Sequence, residues 1–133
     1  MKNKDGMTLV EVLVAMAIVF IVFLGMSSAG LVVLDQNIKN SQRDEAVSVA
    51  EMEMQRIRNT PFSVLTLAPD NVAVSIDNVS RQIRGLNTNY GVLRTVDHLN
   101  VNNLAVTLRV TWNRIENQQT RSYDHTVATI VRP

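Results

Sequence analysis

The sequence contains no cysteine, which excludes disulfide bridges, zinc–thiolate sites and thiol nucleophiles. It also lacks a glycine-rich phosphate loop, a pair of histidines spaced along one helix face and a serine nucleophile elbow. The nearest approach to a reactive cluster is two Asp–His pairs, Asp97–His98 and Asp124–His125. Adjacent strand residues point to opposite faces, so neither pair binds a metal from one face, and only a meeting of the two histidines would make a site. We therefore expect solvated residues here, with no enzyme activity, no cofactor and no metal.

Neither sign of charge is in clear excess. Residues 35–133 carry eleven Lys or Arg and ten Asp or Glu, whereas proteins that bind nucleic acid usually show a marked basic excess. Six arginines of the C-terminal part are candidates for one basic face: Arg81, Arg84, Arg94, Arg109, Arg114 and Arg121. With ten acids in the same region, scattered surface charge is the better interpretation, and no nucleic-acid partner is expected.

Charge is missing altogether from one long stretch near the N-terminus. Residues 12–34 are 23 uncharged residues, and residues 12–26 are apolar apart from Gly25. As a helix of this length they would extend about 34 Å, which is enough to cross a bilayer core of about 30 Å. Lys2 and Lys4 precede the stretch, which predicts a cytoplasmic N-terminus and an exported C-terminal part.

Glu11 is the only charged residue between Asp5 and Asp35. An ionised carboxylate within hydrocarbon costs roughly 3 kcal/mol, so Glu11 needs a cation or another reason to be there. Two ordinary interpretations of the segment give Glu11 no role. One is a secretory signal peptide cut within residues 27–30, and the other is a plain signal anchor that tethers an exported binding or enzymatic domain.

Residues 6–15, with the sequence GMTLVEVLVA, resemble the class III signal of type IV pilins and type II secretion pseudopilins. The resemblance implies that prepilin peptidase cuts between Gly6 and Met7 and then N-methylates Met7. It also implies that Glu11, now fifth in the mature chain, pairs with the N-terminal amine of a neighbouring subunit during assembly. Met7 departs from the phenylalanine commonest at its position, and Asp5 is acidic in a leader that is usually basic.

The same resemblance implies a structural subunit rather than an enzyme. Such a subunit is stored in the bacterial inner membrane as a single-pass protein, with its C-terminal domain in the periplasm or outside the cell, and then enters a pilus or pseudopilus. The implied partners are prepilin peptidase, other pilin or pseudopilin subunits, the inner-membrane assembly platform and membrane lipid.

The predicted helix continues beyond the apolar stretch. Val47, Ala50, Met54 and Ile57 are spaced by three or four residues, which predicts one buried stripe, and Pro61 predicts a stop near residue 60. Later segments alternate or are rich in β-branched residues, which predicts strands at 72–76, 90–96, 104–112 and 123–131, with a turn over 113–120. The predicted fold class is α+β, a long helix packed on a small antiparallel sheet of about four strands, the ladle of pilins.

We accordingly divide the chain into a leader at 1–6, a membrane and assembly segment at 7–34, an amphipathic helix segment at 35–60 and a sheet region at 61–133. Residues 106–113 (VTLRVTWN) and 46–58 are similar to parts of the minor pilins known as type IV pilus modification proteins and of the minor pseudopilin I. Together with the absence of the cysteines that form the C-terminal disulfide loop of many major pilins, this similarity favours a minor subunit.

Overall fold

The computed structural model describes residues 8–116 and 118–133. It contains a 50-residue helix, a short helix and four strands. The elements are α1 Leu9–Arg58, α2 Phe62–Leu65, β1 Val74–Ile83, β2 Leu86–Asn100, β3 Asn103–Glu116 and β4 Gln119–Val131. The strands form one antiparallel sheet in the order β1-β2-β3-β4, which is a meander of consecutive hairpins. The predicted α+β class is confirmed.

The chain divides into two compact units, Met1–Asn37 and Ile38–Pro133. In the first unit, α1 is long and apolar enough to cross a membrane, and none of its most apolar stretch is buried. The polar side chains in this stretch satisfy their hydrogen bonds within the helix. The Ser27 hydroxyl donates to the Phe23 carbonyl at 3.0 Å, and the Ser28 hydroxyl donates to the Leu24 carbonyl at 3.2 Å. The hydroxyl donors of both serines are therefore already hydrogen-bonded and would not be left unsatisfied in lipid.

In the second unit, α1 is amphipathic and packs one face on the sheet. Its buried residues recur every three or four positions: Gln42, Ala46, Val49, Ala50, Glu53, Met54 and Ile57. The predicted stripe is confirmed at Ala50, Met54 and Ile57. Val47 is only half-buried, because the centre of the buried face runs through Ala46 and Val49. The helix ends at Arg58, three residues before Pro61, as the stop signal predicts.

The alternation in β3 sorts its side chains between the core and the solvent as predicted. Leu104, Val106, Leu108 and Val110 are fully buried, and Trp112 is 6% exposed. The intervening residues face outward and are half-buried or exposed. β3 lies between β2 and β4, so this row of side chains forms the centre of the core.

The strands of the sheet are longer than predicted, and the predicted turn over 113–120 is wrong. β3 continues to Glu116 and pairs with β4 from Gln119 onward, with Arg114 opposite Arg121. The two like charges are accommodated because Glu116 lies 3.7 Å from the Arg114 Nε and 3.8 Å from the Arg121 Nε. Polar sequence therefore extends the hairpin here rather than ending it. β1 likewise extends past the predicted residue 76, as far as Ile83.

The β1–β2 hairpin is closed by two residues with left-handed backbone conformation. Arg84 has φ 47° and Gly85 has φ 84°. Positive φ at both central residues is the signature of the tight turn whose twist matches that of paired strands. This turn fixes the register from Ile83–Leu86 outward.

Leu108→Ala is expected to lower the free energy of unfolding by about 2–5 kcal/mol, because it leaves a cavity at a fully buried position. Chemical denaturation of the full chain in detergent, followed through the fluorescence of the single tryptophan, measures the change. Thr107→Ala, one residue away on the outward face, is the matched control and should cost less than about 1 kcal/mol. Equal losses for both variants would mean that the core does not lie on this face of β3.

Candidate functional site

Of the three residues predicted to act in processing and assembly, one lies in the described part of the chain. Gly6 and Met7 are outside the described residues, whereas Glu11 lies in the first turn of α1. The candidate site is therefore described by the contacts that Glu11 makes.

Glu11 and Thr8 bind each other reciprocally at the start of the helix. The Thr8 backbone N–H donates to Glu11 Oε2 at 2.8 Å, and the Thr8 hydroxyl donates to the same oxygen at 3.0 Å. In return, the Glu11 backbone N–H donates to Thr8 Oγ1 at 3.3 Å. Since α1 begins at Leu9, Thr8 is the N-cap and Glu11 is the third helical residue, which makes this a capping box.

The capping box was not foreseen, although its signal is visible in the sequence as Thr-x-x-Glu before an apolar run. It gives Glu11 a local structural role that the chain satisfies by itself. The positive end of the helix dipole lies at the same place and favours a carboxylate there. Within the described residues, all hydrogen bonds to this carboxylate go to Oε2, so Oε1 is open to a further donor.

From Val12 to Met26, the first unit presents exposed apolar side chains on all sides of the helix. Leu9, Phe20 and Phe23 are each more than 60% exposed, and a shallow groove follows the stripe formed by Val12, Ala15, Met16, Val19, Phe20 and Phe23. Ala15 is a small residue among the larger apolar side chains of this stripe, and small residues allow helices to approach closely in a bundle.

The two histidines considered as a metal pair do not meet. His98 on β2 is opposite Leu104, and His125 on β4 is opposite Val110, so the two lie on strands separated by β3 and at different heights in the sheet. No cluster of three or more His, Asp or Glu side chains suited to a metal occurs in the described ranges.

His98 instead fastens the 66–71 segment to the end of β2. Asp70 Oδ1 accepts from the His98 backbone N–H at 2.9 Å and lies 3.0 Å from His98 Nδ1, while His98 Nε2 lies 3.2 Å from the Thr66 carbonyl oxygen. The Asn71 N–H also donates to the Val96 carbonyl at 2.7 Å. The hydrogen bond to Asp70 raises the pKa of His98, and the hydrogen bonds from His98 lower the pKa of Asp70.

Asp70→Asn is expected to lower the pKa of His98 toward its ordinary value near 6.5. Because the pKa of His98 is raised in the folded protein, its contribution to stability is complete below that ordinary value and is lost as the pH rises through the raised one. The contribution of Asp70, whose pKa is lowered, is lost instead as the pH falls through that lowered pKa. NMR titration of the His98 ring in both proteins measures the shift. Asp97→Asn is the control and should change it less, since Asp97 acts on His98 only through space. An unchanged His98 pKa in Asp70→Asn would contradict the contact.

The six candidate arginines do not form an uncompensated basic face. Arg81 lies 2.9 Å from Glu45, Arg109 lies 3.3 Å from Asp124, and Arg114 and Arg121 both lie within 4 Å of Glu116. Three acids thus lie close to four of the six arginines, which weakens the positive field that steers nucleic acid to a binding surface.

Comparison with known proteins finds a recognised sequence motif that includes Thr8 and Glu11. A family model described as the prokaryotic N-terminal methylation motif matches residues 1–27, which is about a fifth of the chain. No curated protein and no solved structure matches the chain. The motif and the long apolar helix together support a pilin-like or pseudopilin precursor that is anchored in a membrane and processed by prepilin peptidase. They favour a structural subunit over an enzyme.

Proposed function

We propose that this protein is the precursor of a minor pilin or pseudopilin. Prepilin peptidase cuts it between Gly6 and Met7 and methylates the new amine of Met7, and the mature chain then enters a type IV pilus or a type II secretion pseudopilus. One observation carries the proposal. The N-terminal methylation motif overlaps a long, exposed helix that carries a single charge between Leu9 and Leu34, the capped carboxylate of Glu11.

The physical chemistry of the helix supports storage in a membrane before assembly. The apolar stretch is long enough to span a bilayer, and Lys2 and Lys4 favour a cytoplasmic N-terminus. The second unit, with its own core, then lies on the far side of the bacterial inner membrane. An assembly platform extracts the helix from lipid into a bundle of like helices, where apolar contacts between subunits replace contacts with acyl chains.

Glu11 is the residue that we assign to subunit docking. Cleavage creates a free amine at Met7 with an ordinary pKa of about 8, cationic at neutral pH, and a single methylation keeps that charge. Two opposite charges about 4 Å apart attract by about 4 kcal/mol at an effective dielectric constant near 20, which offsets the cost of burying the carboxylate. The capping box holds Oε2 and leaves Oε1 for the amine of a neighbouring subunit.

Under this proposal, each segment of the chain has its own role. Residues 1–6 are the leader, 7–34 the membrane and assembly segment, 35–60 the amphipathic support and 61–133 the sheet region that the filament displays. The absence of cysteine and the similarity of residues 46–58 and 106–113 to type IV pilus modification proteins and minor pseudopilin I support a minor subunit.

Co-expression with prepilin peptidase tests this proposal. The membrane fraction should contain a precursor without the peptidase and a shorter form with it, and a pilus or pseudopilus system should carry the shorter form into its filaments. A chain that keeps its full length beside an active peptidase would instead favour the alternative, a plain signal anchor for an exported binding or enzymatic domain.

A further inference from the structure

The sheet of the second unit has two edge strands, β1 and β4. An edge strand presents unpaired backbone N–H and C=O groups to which another strand can bind, so natural proteins cover or interrupt their edges. At β1, side chains of α1 reach the edge: Arg56 Nη1 lies 3.3 Å from Asp77 Oδ2, and Glu45 Oε1 lies 2.9 Å from Arg81 Nε. The pairing of β1 with β2 is also irregular next to Asp77. Both features discourage a further strand from binding to β1.

Within the described residues, the second half of β4 has neither kind of protection. β4 pairs with β3 along its whole length without a register shift. Its two charged residues, Arg121 and Asp124, both lie in its first half. Residues 126–131 (TVATIV), here called the open edge, contain no charge, glycine or proline, and all except the alanine are β-branched. The open edge is therefore regular, uncharged and rich in the residues that favour strands, as a surface for strand pairing needs to be.

The open edge leaves room for the side chains of a further strand on both faces of the sheet. Its odd-numbered residues are half-buried on the core side, and its even-numbered residues are exposed on the outer face. On the core side, a hollow of about 320 Å³ lies between Val127 and the helix residues Glu51, Gln55 and Arg58. On the outer face, the side chain of Ile130 is 56% exposed. A strand beside β4 would fill the hollow from one face and cover Ile130 from the other.

We propose that the open edge binds an extended, uncharged segment of another protein as a fifth strand of the sheet. Hydrogen bonds to the backbone of the edge supply affinity, and alternate side chains of the added strand supply specificity. The segment carries β-branched or other aliphatic residues, because these form favourable cross-strand pairs with Val127 and Ile130. It carries no charge opposite the open edge, since that part of β4 offers no countercharge.

A second copy of this chain does not suit the open edge. A symmetric pair of β4 strands is antiparallel, because a two-fold axis perpendicular to the sheet reverses one strand against the other. Residues 38–58 of α1 run along β1, since their contacts move from Arg81 to Asp77 as the helix advances from Glu45 to Arg56. The two copies would therefore have residue 38 at opposite ends of the pair, whereas two chains anchored in one membrane by their N-terminal segments need it at the same end. This step alone rests on the membrane anchoring of the proposed function, which the plain signal anchor shares.

Amide hydrogen exchange in the presence of a strand-forming peptide tests the proposal. We would add the blocked peptide Lys-Lys-Thr-Val-Thr-Val-Thr-Val to the isotope-labelled full chain in detergent micelles and follow the exchange by NMR. Alternate amides of residues 126–131 should gain protection as the peptide binds, because every second residue of a strand turns its backbone groups to the same edge. The amides of β1 should exchange as they do without the peptide.

Two N-methylated versions of the peptide are the matched controls. One carries methyl groups on the amides of its valines and the other on the amides of its threonines, so each lacks the N–H donors of one edge only. One version should bind as the parent peptide does, and the other should lose binding. The version that loses binding shows whether the added strand runs parallel or antiparallel to β4. Adhesion of the peptide to an apolar surface would not distinguish the two versions.

Thr129→Lys is expected to weaken binding of the parent peptide about tenfold, because it places a charge on the core side of the open edge, as natural proteins do to protect an edge. Gln119→Lys is the matched control, since it adds the same charge to an exposed position of the same strand outside the open edge. Its affinity for the peptide should equal that of the unmodified chain. Unchanged amide exchange in β2 and β3 shows that each variant keeps the fold.

Four results would overturn the proposal. They are no added protection of residues 126–131 at millimolar peptide, equal binding of the two methylated versions, and equal affinities of Thr129→Lys and Gln119→Lys. The fourth is protection of the open edge without peptide in a chain that sediments as a dimer, which would make a second copy the occupant. Failure of processing by prepilin peptidase would leave all four measurements unaffected, so the two proposals fail separately.

Discussion

Glu11→Ala is expected to leave the protein cleaved and inserted in the membrane while its incorporation into filaments falls to background. The alanine variant lacks the carboxylate that a neighbouring amine needs. An attraction of about 4 kcal/mol corresponds to about a thousandfold in the equilibrium for each docking step. Membrane insertion should improve slightly, because a charge is removed from the apolar segment. Quantitative immunoblots of membrane and sheared filament fractions measure both effects.

Thr8→Ala is the variant that separates the two roles of Glu11. It removes the N-cap hydroxyl and its hydrogen bonds, but it keeps the carboxylate. Loss of an N-cap costs about 1 kcal/mol, so Thr8→Ala should reduce incorporation only modestly. Glu11→Gln, which keeps the shape but not the charge, should behave like Glu11→Ala. If Thr8→Ala and Glu11→Ala are equally defective, Glu11 serves the helix start and not the docking of subunits.

Gly6→Val is expected to abolish processing, so that only the precursor accumulates in the membrane. The branched side chain lies directly before the proposed cut, where the resemblance implies that glycine is required. Without cleavage the amine of Met7 is never released, and the charged leader with Lys2 and Asp5 stays attached to the helix. No filament should contain the variant.

Asn3→Val is the control for Gly6→Val. It introduces the same side chain into the same leader, three residues from the proposed cut, and should be processed normally. Gel mobility beside an active prepilin peptidase measures both. Normal processing of Gly6→Val would place the cut elsewhere and remove the basis for the role of Met7.

The parts of the fold that could be predicted are those governed by a single periodicity. The apolar run before Asp35, the stop at Pro61 and the alternation from Leu104 to Trp112 each depend on local spacing, and each matches the structure. Burial enforces these patterns, because a slip of one residue in β3 would turn every core side chain to solvent.

The parts that were missed depend on partners distant in sequence or on polar residues. Gln42 and Glu53 lie in the buried stripe of α1, where apolar periodicity cannot identify them. Glu53 is accommodated because its Oε1 lies 2.7 Å from Arg56 Nη1, and Gln42 is held by Thr88 and Tyr90 on β2. Only the tertiary fold brings these groups together.

In the candidate site, too, local features could be predicted from the sequence, whereas features that depend on the tertiary fold could not. The spacing of Gly6, Met7 and Glu11 is local, so their processing and assembly roles could be predicted from the sequence alone, and these residues lie within the range 1–27 that the methylation motif matches. The Thr8–Glu11 capping box is equally local, and its signal is the Thr-x-x-Glu pattern directly before the apolar run. The stacking of Trp112 on Tyr123 could not be predicted, since it requires the register of β3 with β4.

Mass spectrometry of the N-terminal peptide from filaments that contain this protein tests the central claim most directly. We expect a chain that begins at Met7 and carries one additional methyl group on its amine. Filaments whose subunits keep residues 1–6, or begin near Leu31, would contradict the account.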